Sequence, residues 1–352
     1  MAGKTSNKLA LNSDTNTTSG LGREPAVCVV GNLNADLIVR GVPALPEWGQ
    51  EVAGTSHALV TSGQAGYLAL GLAKLDVPTA LIANVGDDHQ GATILEDLRS
   101  AGVATDGVEI SKGATGISVA AVRPDGERAF LSHFASLGEL DEALIERRWS
   151  TGSAAPVLCL VGLFSIPGLD PGAGARLLTR ARAEGRRTVL DTGWDPDGWS
   201  DATVAGVEEM LAATTIFLPN LDEATAITGE RDPLAAARAL RAHGPDLIVV
   251  KCGAEGSVAL TADGATERMD AIAVEAVDAV GAGDSFNAAF LFAHLAGWSL
   301  RQALAFASAA AGLYVSRATA RHATAPEAVA AAKPLGVALP SIPDPTNPTD
   351  PS

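Results

Sequence analysis

Short apolar, β-branched runs recur along the chain at 27–30, 80–83, 157–161, 188–191, 216–218 and 247–250, separated by longer Ala-, Leu- and Arg-rich stretches of helical character. Strand-sized and helix-sized segments in alternation predict βαβ units. The expected fold is therefore α/β, with a doubly wound, mainly parallel sheet flanked by helices on both faces. Near the end, 284–317 divides into two helical stretches around Gly297-Trp298-Ser299, with Ala-rich faces suited to close packing on a sheet. Two regions break the alternation. Residues 36–60 carry Pro43, Pro46 and Gly49 between extended runs, and 108–134 reads as strands joined by the turn former Arg123-Pro124-Asp125-Gly126-Glu127. Contiguous strands inserted into such a fold predict either a separate small sheet or a plain surface hairpin. One domain is expected over 25–335, with flexible tails at 1–24 and at the Pro-rich 336–352.

The composition supports a folded chain: 47% of 352 residues are hydrophobic, enough for a sizeable core. Acidic residues outnumber basic ones by 41 to 25, a formal charge of −16, and no Lys/Arg-rich run offsets it. A nucleic-acid partner is therefore not expected. Cys28, Cys159 and Cys252 are widely spaced within apolar runs, which suits buried thiols better than disulfides or a zinc site. No apolar run approaches a membrane span, and the polar N-terminal segment lacks the apolar core of a secretory signal. The expected location is cytoplasmic.

The most informative stretch is 278–290, where Gly281 and Gly283 precede Asp284 at the start of an apolar helix. Such a turn aims unpaired backbone N–H groups and the positive end of the helix dipole at one point, which suits a phosphate. Asp284 beside it can accept the proton of an attacking hydroxyl. Gly281, Ala282 and Gly283 would supply the amides. A glycine turn capped by an aspartate is the plainer reading. Asn220 and Glu223 stand three apart after Leu218-Pro219, a spacing that also fits a capping box.

Further segments follow in a characteristic order: Gly31-Asn32-Leu33-Asn34-Ala35-Asp36, Ser62-Gly63-Gln64-Ala65-Gly66, Asn84-Val85-Gly86-Asp87-Asp88 with Gly91, Asn220-Leu221-Asp222-Glu223, and Lys251-Cys252-Gly253-Ala254-Glu255-Gly256. With the 278–284 motif they resemble the ribokinase-like (PfkB) carbohydrate kinases over roughly residues 26–330. The resemblance implies an ATP-dependent sugar kinase with Mg²⁺ and a monovalent cation such as K⁺. It implies catalysis at Gly281, Ala282, Gly283 and Asp284, with the acceptor held by Asn34, Asp36, Gly63, Gln64 and Tyr67. The nucleotide would meet Asn220, Lys251, Gly253, Gly256 and Ser308. Glu223 would organise Mg²⁺, directly or through water, while Asp278 and the Val280 carbonyl would hold K⁺. The strands in 36–60 and 108–134 would form a lid over the substrate, through which a homodimer would assemble.

The sequence also departs from the resemblance. Ser62 replaces the first of two glycines, and Tyr67 stands where Asn is usual, so ribose is not assured as the acceptor. Arg317-Ala318-Thr319-Ala320-Arg321-His322 departs from the usual glycine-containing loop, which weakens the K⁺ expectation. A nucleoside kinase, whose substrate base would stack on the Tyr67 ring, is the nearest alternative; a non-catalytic sugar or nucleotide sensor is another. Arg123, Arg128 and His133 are candidate lid contacts, and Trp194 or Trp199 is expected near the site mouth. No G-x-G-x-x-G follows the first strand, which argues against a dinucleotide oxidoreductase.

Overall fold

The computed structural model describes residues 23–318 and 321–342. The first half comprises β1 (Val27–Gly31), β2 (Asn34–Arg40), β3 (Ser56–Ser62), α1 (Gln64–Lys74), β4 (Thr79–Gly86), α2 (His89–Ser100), β5 (Ala104–Ser111), β6 (Gly116–Val122), β7 (Arg128–His133) and α3 (Glu142–Arg148). Then follow β8 (Val157–Val161), α4 (Pro171–Ala183), β9 (Arg187–Asp191), α5 (Asp201–Ala212), β10 (Ile216–Phe217), α6 (Leu221–Thr228) and α7 (Pro233–Arg241). The chain continues through β11 (Leu247–Lys251), β12 (Ser257–Thr261), β13 (Thr266–Met269), α8 (Ala282–Leu295), α9 (Leu300–Val315) and α10 (Ala325–Ala331).

Nine strands form one sheet in the order β13-β12-β11-β10-β9-β8-β1-β4-β5. From β11 to β5 all neighbours are parallel; β12 and β13 add an antiparallel edge. Successive β1 residues point to opposite faces, so Val27 and Val29 enter one core while Cys28 and Val30 enter the other. Both faces are covered, the setting in which parallel strands read as continuous apolar runs. Burying each Leu, Ile or Val side chain fully contributes roughly 1.5–3 kcal/mol. Cys28 and Cys159 are buried, and burial pushes both thiols up, Cys28 to about 11.

A second sheet, β3-β2-β6-β7, is separate from the first. The turn at 123–127 joins β6 to β7 as expected. The expected boundary at Val108 is corrected: β5 pairs with β4 in the large sheet, and the small sheet resumes only at Gly116. The segment 104–111 is half-buried and polar on one side because it is the edge strand. The expected C-terminal tail is also corrected in part. Val337, Leu339 and Ile342 pack on the large core, and Gln302 Nε2 donates to the Ala338 carbonyl at 2.8 Å. The remainder of that tail, and nearly all of the expected N-terminal tail, lie outside the described residues.

From β1 the order runs outward through β4 and β5 on one side and through β8 to β11 on the other. Ligands in open α/β sheets bind at such a reversal, beyond the carboxyl ends of the strands. There the small sheet, the loops after β1, β8, β9, β10 and β11, and the head of α8 converge. Among the described residues no helix is long and apolar enough to cross a membrane.

Candidate active site

A cleft of about 550 Å³ occupies this convergence. It brings together Asn34, Asp36, Gly63, Gln64, Tyr67, Asn220, Glu223, Lys251, Gly253, Val280, Gly281, Ala282, Gly283 and Asp284. Gly256 and Ser308 are not among its lining. Gly256 shapes the turn into β12, and Ser308 is buried within α9.

The head of α8 is built by a local conflict that only glycine resolves. Gly281 adopts φ +79°, and a Cβ there would lie 2.6 Å from the Tyr314 hydroxyl and 3.1 Å from the Tyr67 ring. The helix closes its first bond from Ser285 N–H to the Gly281 carbonyl, leaving the N–H groups of Gly283 and Asp284 without intrahelical acceptors. Ala282 is the exception to the expected amide cradle, because its N–H donates to the Ala279 carbonyl at 3.2 Å. Asp284 is buried, and burial together with nearby Asp191 raises its carboxyl well above the usual range.

Asp191 was not among the expected site residues. It ends β9, and its Oδ2 accepts Lys251 Nζ at 2.6 Å and Asn287 Nδ2 at 2.6 Å; Oδ1 accepts Gln64 Nε2 at 3.1 Å. Lys251 Nζ also reaches Asn287 Oδ1 at 3.3 Å. Lys251 thus links the β11 end to the second turn of α8. Burial lowers and Asp191 raises the Lys251 ammonium, the net shift being upward. The signal in the sequence is the aspartate that closes the apolar run 188–191.

Asn220 and Glu223 form the capping box: Asn220 Oδ1 accepts Glu223 N–H at 2.8 Å, and Glu223 Oε2 accepts Asn220 N–H at 2.9 Å. Both line the cleft. Burial, then Asp191, raise Glu223 to about 7. Its Oε1 accepts no hydrogen bond from a described residue, so one oxygen is free for a metal ion. Among the described residues no group of three or more His, Cys, Asp or Glu is placed to hold a metal. A single carboxylate still suits Mg²⁺, which keeps several waters and takes its other ligands from nucleotide phosphates.

The expected acceptor cradle is tied up internally. Asn34 Nδ2 donates to Asp36 Oδ1 at 2.8 Å and to Ser62 Oγ at 2.9 Å, while the Tyr67 hydroxyl donates to Asp36 Oδ2 at 2.8 Å. The two departures from the resemblance therefore act on one linked pair, Ser62 on Asn34 and Tyr67 on Asp36. The Tyr67 ring meets Tyr314 edge-on at 6.4 Å, and burial is the main reason the Asp36 carboxyl is raised. The cleft is also lined by aromatic rings, Phe130, Phe134, Phe164 and Trp194, and by Arg128 and Ser132; in register Ser132 lies across Ser118 from Asp36, on the same face of the small sheet. Trp194 is at the mouth, 54% exposed, and meets Trp199 edge-on. Arg123 instead pairs with Asp125 in the exposed turn, and His133 does not line the cleft.

The Asp278 site does not fit a monovalent cation. Its carboxylate already faces Arg40 and Arg321.

A helix-head glycine turn with a carboxylate beside it, in a cleft between a doubly wound sheet and a small second sheet, is the arrangement of ribokinase-like small-molecule kinases. The sequence profile described as pfkB family carbohydrate kinase matches residues 25–328, so the chain belongs to the pfkB family, and its activity is that of an ATP-dependent carbohydrate kinase. It is 30% identical over 312 residues to an ATP-dependent ribose-1-phosphate kinase of Halopiger xanaduensis, covering 87% of this chain and 97% of the relative. It is 27% identical over 272 residues to a 5-dehydro-2-deoxygluconokinase of Shouchella clausii, covering 74% and 82% respectively. The ribokinase of Haemophilus influenzae is 26% identical over 82% of this chain and 92% of its own. The fold is shared with Arabidopsis thaliana ribokinase complexed with ribose and ATP, at TM-score 0.72 and 24% identity over 88% of this chain and 99% of that one.

Proposed function

We propose that this kinase transfers the γ-phosphate of ATP to a sugar hydroxyl at the head of α8, with Asp284 as general base. The observation that carries the reading is the placement of Asp284 in the cleft, three residues after the left-handed Gly281, beside N–H groups that the helix leaves unpaired. In this reading Asp284 takes the hydroxyl proton as the oxygen attacks phosphorus, and the bond from the γ-phosphorus to the bridging oxygen breaks, leaving ADP. The Gly283 and Asp284 amides stabilise the charge on the transferring group. Lys251, held by Asp191, adds positive charge where the phosphates would lie. Glu223 would hold the Mg²⁺ that accompanies ATP and offsets its charge. The small sheet closes over the acceptor and excludes water, a competing acceptor.

A nucleoside acceptor is the second reading, favoured by the rings of Phe130, Phe134, Phe164 and Trp194 that line the same cleft as the cradle. Both readings predict ADP formation that depends on an added acceptor. A panel of pentoses, hexoses, their acid and phosphate derivatives, and nucleosides, assayed for ADP, tests them. No acceptor-dependent ADP across the panel would leave the sensor reading.

The outer face of the small sheet carries Leu59, Leu37, Val119 and Leu131 in one row across its four strands. Leu59 is 55% and Leu131 77% exposed. An apolar row on an open sheet face supports a homodimer formed lid to lid.

A further inference from the structure

Asp278 is fully buried and its oxygens are already engaged. Oδ2 accepts Arg40 Nε at 3.2 Å and Nη2 at 2.8 Å, and lies 3.2 Å from Arg321 Nη1. Oδ1 accepts the Val280 N–H at 2.8 Å. The main-chain carbonyl of Asp278 accepts Arg321 Nη2 at 2.7 Å, and Arg321 Nε donates to the Tyr314 carbonyl at 3.4 Å. The guanidinium lies 4.0 Å above the Tyr314 ring. Both arginines are nearly buried, 9% exposed each.

One carboxylate therefore faces two guanidinium groups, and arginine stays charged at any ordinary pH. Monovalent cations such as K⁺ are held by converging carbonyl and carboxylate oxygens that replace their water. Such oxygens do converge here, but on Arg321: an Asp278 carboxylate oxygen, the Asp278 carbonyl and the Tyr314 carbonyl. An added cation would have to displace these hydrogen bonds and approach a site already positive by one charge. The same atoms lead directly into the catalytic turn, through the Val280 N–H and then Gly281, which abuts Tyr314.

We propose that the Arg321 guanidinium, seconded by Arg40, is a built-in cation that fixes the turn leading into α8, so that the enzyme works without a bound monovalent cation. Arg321 is a positioning residue, acting through Asp278 and Tyr314 on the amides at Gly283 and Asp284. The consequence for turnover rests on the phosphoryl-transfer reading. The consequence for stability does not.

The test compares KCl, NaCl and choline chloride at one ionic strength, about 100 mM so that screening is constant. The unfolding midpoint and, with an accepted substrate, the turnover of the wild-type protein are expected to be the same in all three. Arg321→Ala should lower the midpoint and reduce turnover by roughly tenfold through loss of positioning. Millimolar guanidinium or K⁺ should restore both in part, since either can enter the emptied space. If the alanine variant does not fold, Arg321→Lys serves: its ammonium keeps a charge on Asp278, so it should fold and stay indifferent to K⁺. A wild-type midpoint or rate raised selectively by K⁺ overturns the proposal, as does K⁺ stimulation of the lysine variant. So does an alanine variant that folds and matches wild type, or one whose losses neither cation restores. Should no acceptor be found, the unfolding measurements still decide the matter.

Discussion

Lys251 Nζ and Asp191 Oδ2 lie 2.6 Å apart, joining the ends of β11 and β9 in the lining of the cleft that holds Asp284. Both are nearly buried, with side chains 12% and 3% exposed. Removing one member of such a pair leaves the other charge uncompensated in a poorly solvated place. Lys251→Met is expected to destabilise the fold by about 3–5 kcal/mol and to depress turnover, measured by denaturant unfolding and by ADP formation. A variant as stable as wild type would show that water reaches Asp191.

Tyr67 is expected to set acceptor preference through Asp36. Tyr67→Phe keeps the ring against Tyr314 and removes the 2.8 Å hydrogen bond, leaving a buried carboxylate short of a donor at a cost of about 1–3 kcal/mol. Tyr67→Asn should shift the ranking toward compact, ribose-like sugars. KM values for the acceptor panel check this, and an unchanged ranking in both variants contradicts it.

Much of the fold was legible because it rests on local patterns. Runs such as 157–161 and 247–250 became strands of the buried parallel sheet, since residues covered on both faces must be apolar throughout. The break near Gly297-Trp298-Ser299 separates α8 from α9, and Ser299 caps α9. Most expected site residues line one cleft because their motifs lie at strand ends and helix heads, where backbone geometry is local. What failed was long-range. Arg40 meets Asp278 across 238 residues, and Asp191 meets Lys251 across 60, pairings that no spacing encodes. Residues 108–111, the end of β5, read as part of the small sheet because an exposed edge strand has the same polarity as its strands.

The apolar row on the outer face of the small sheet should be covered in solution. Light scattering is expected to report a dimer, and Leu131→Lys, which puts a charge at the exposed β7 end of the row, should yield a monomer of unchanged thermal stability. A wild-type monomer across the micromolar range contradicts lid-to-lid assembly.

The pH dependence follows from the carboxyl groups facing the cleft. Burial raises Asp284, and Glu223 is raised to about 7, so the ionised base is scarce in acid. kcat/KM for the free enzyme should climb with pH, with an apparent midpoint well above that of an ordinary aspartate and shared among interacting groups. For stability the sign is opposite. A group whose folded value is raised contributes fully below its unfolded value and loses that contribution as pH rises through the folded one. Asp284→Asn should therefore be at least as stable as wild type at neutral pH, whereas a clearly lower melting point would assign Asp284 to the structure of the helix head.

The same substitution tests the central claim most directly, by steady-state kinetics with an accepted substrate at saturating MgATP. Asp284→Asn keeps the shape of the helix head and its amides but takes up no proton. The account predicts turnover lower by roughly 10²- to 10⁴-fold with the KM for ATP little changed. Near-normal turnover in a folded Asp284→Asn protein would contradict it.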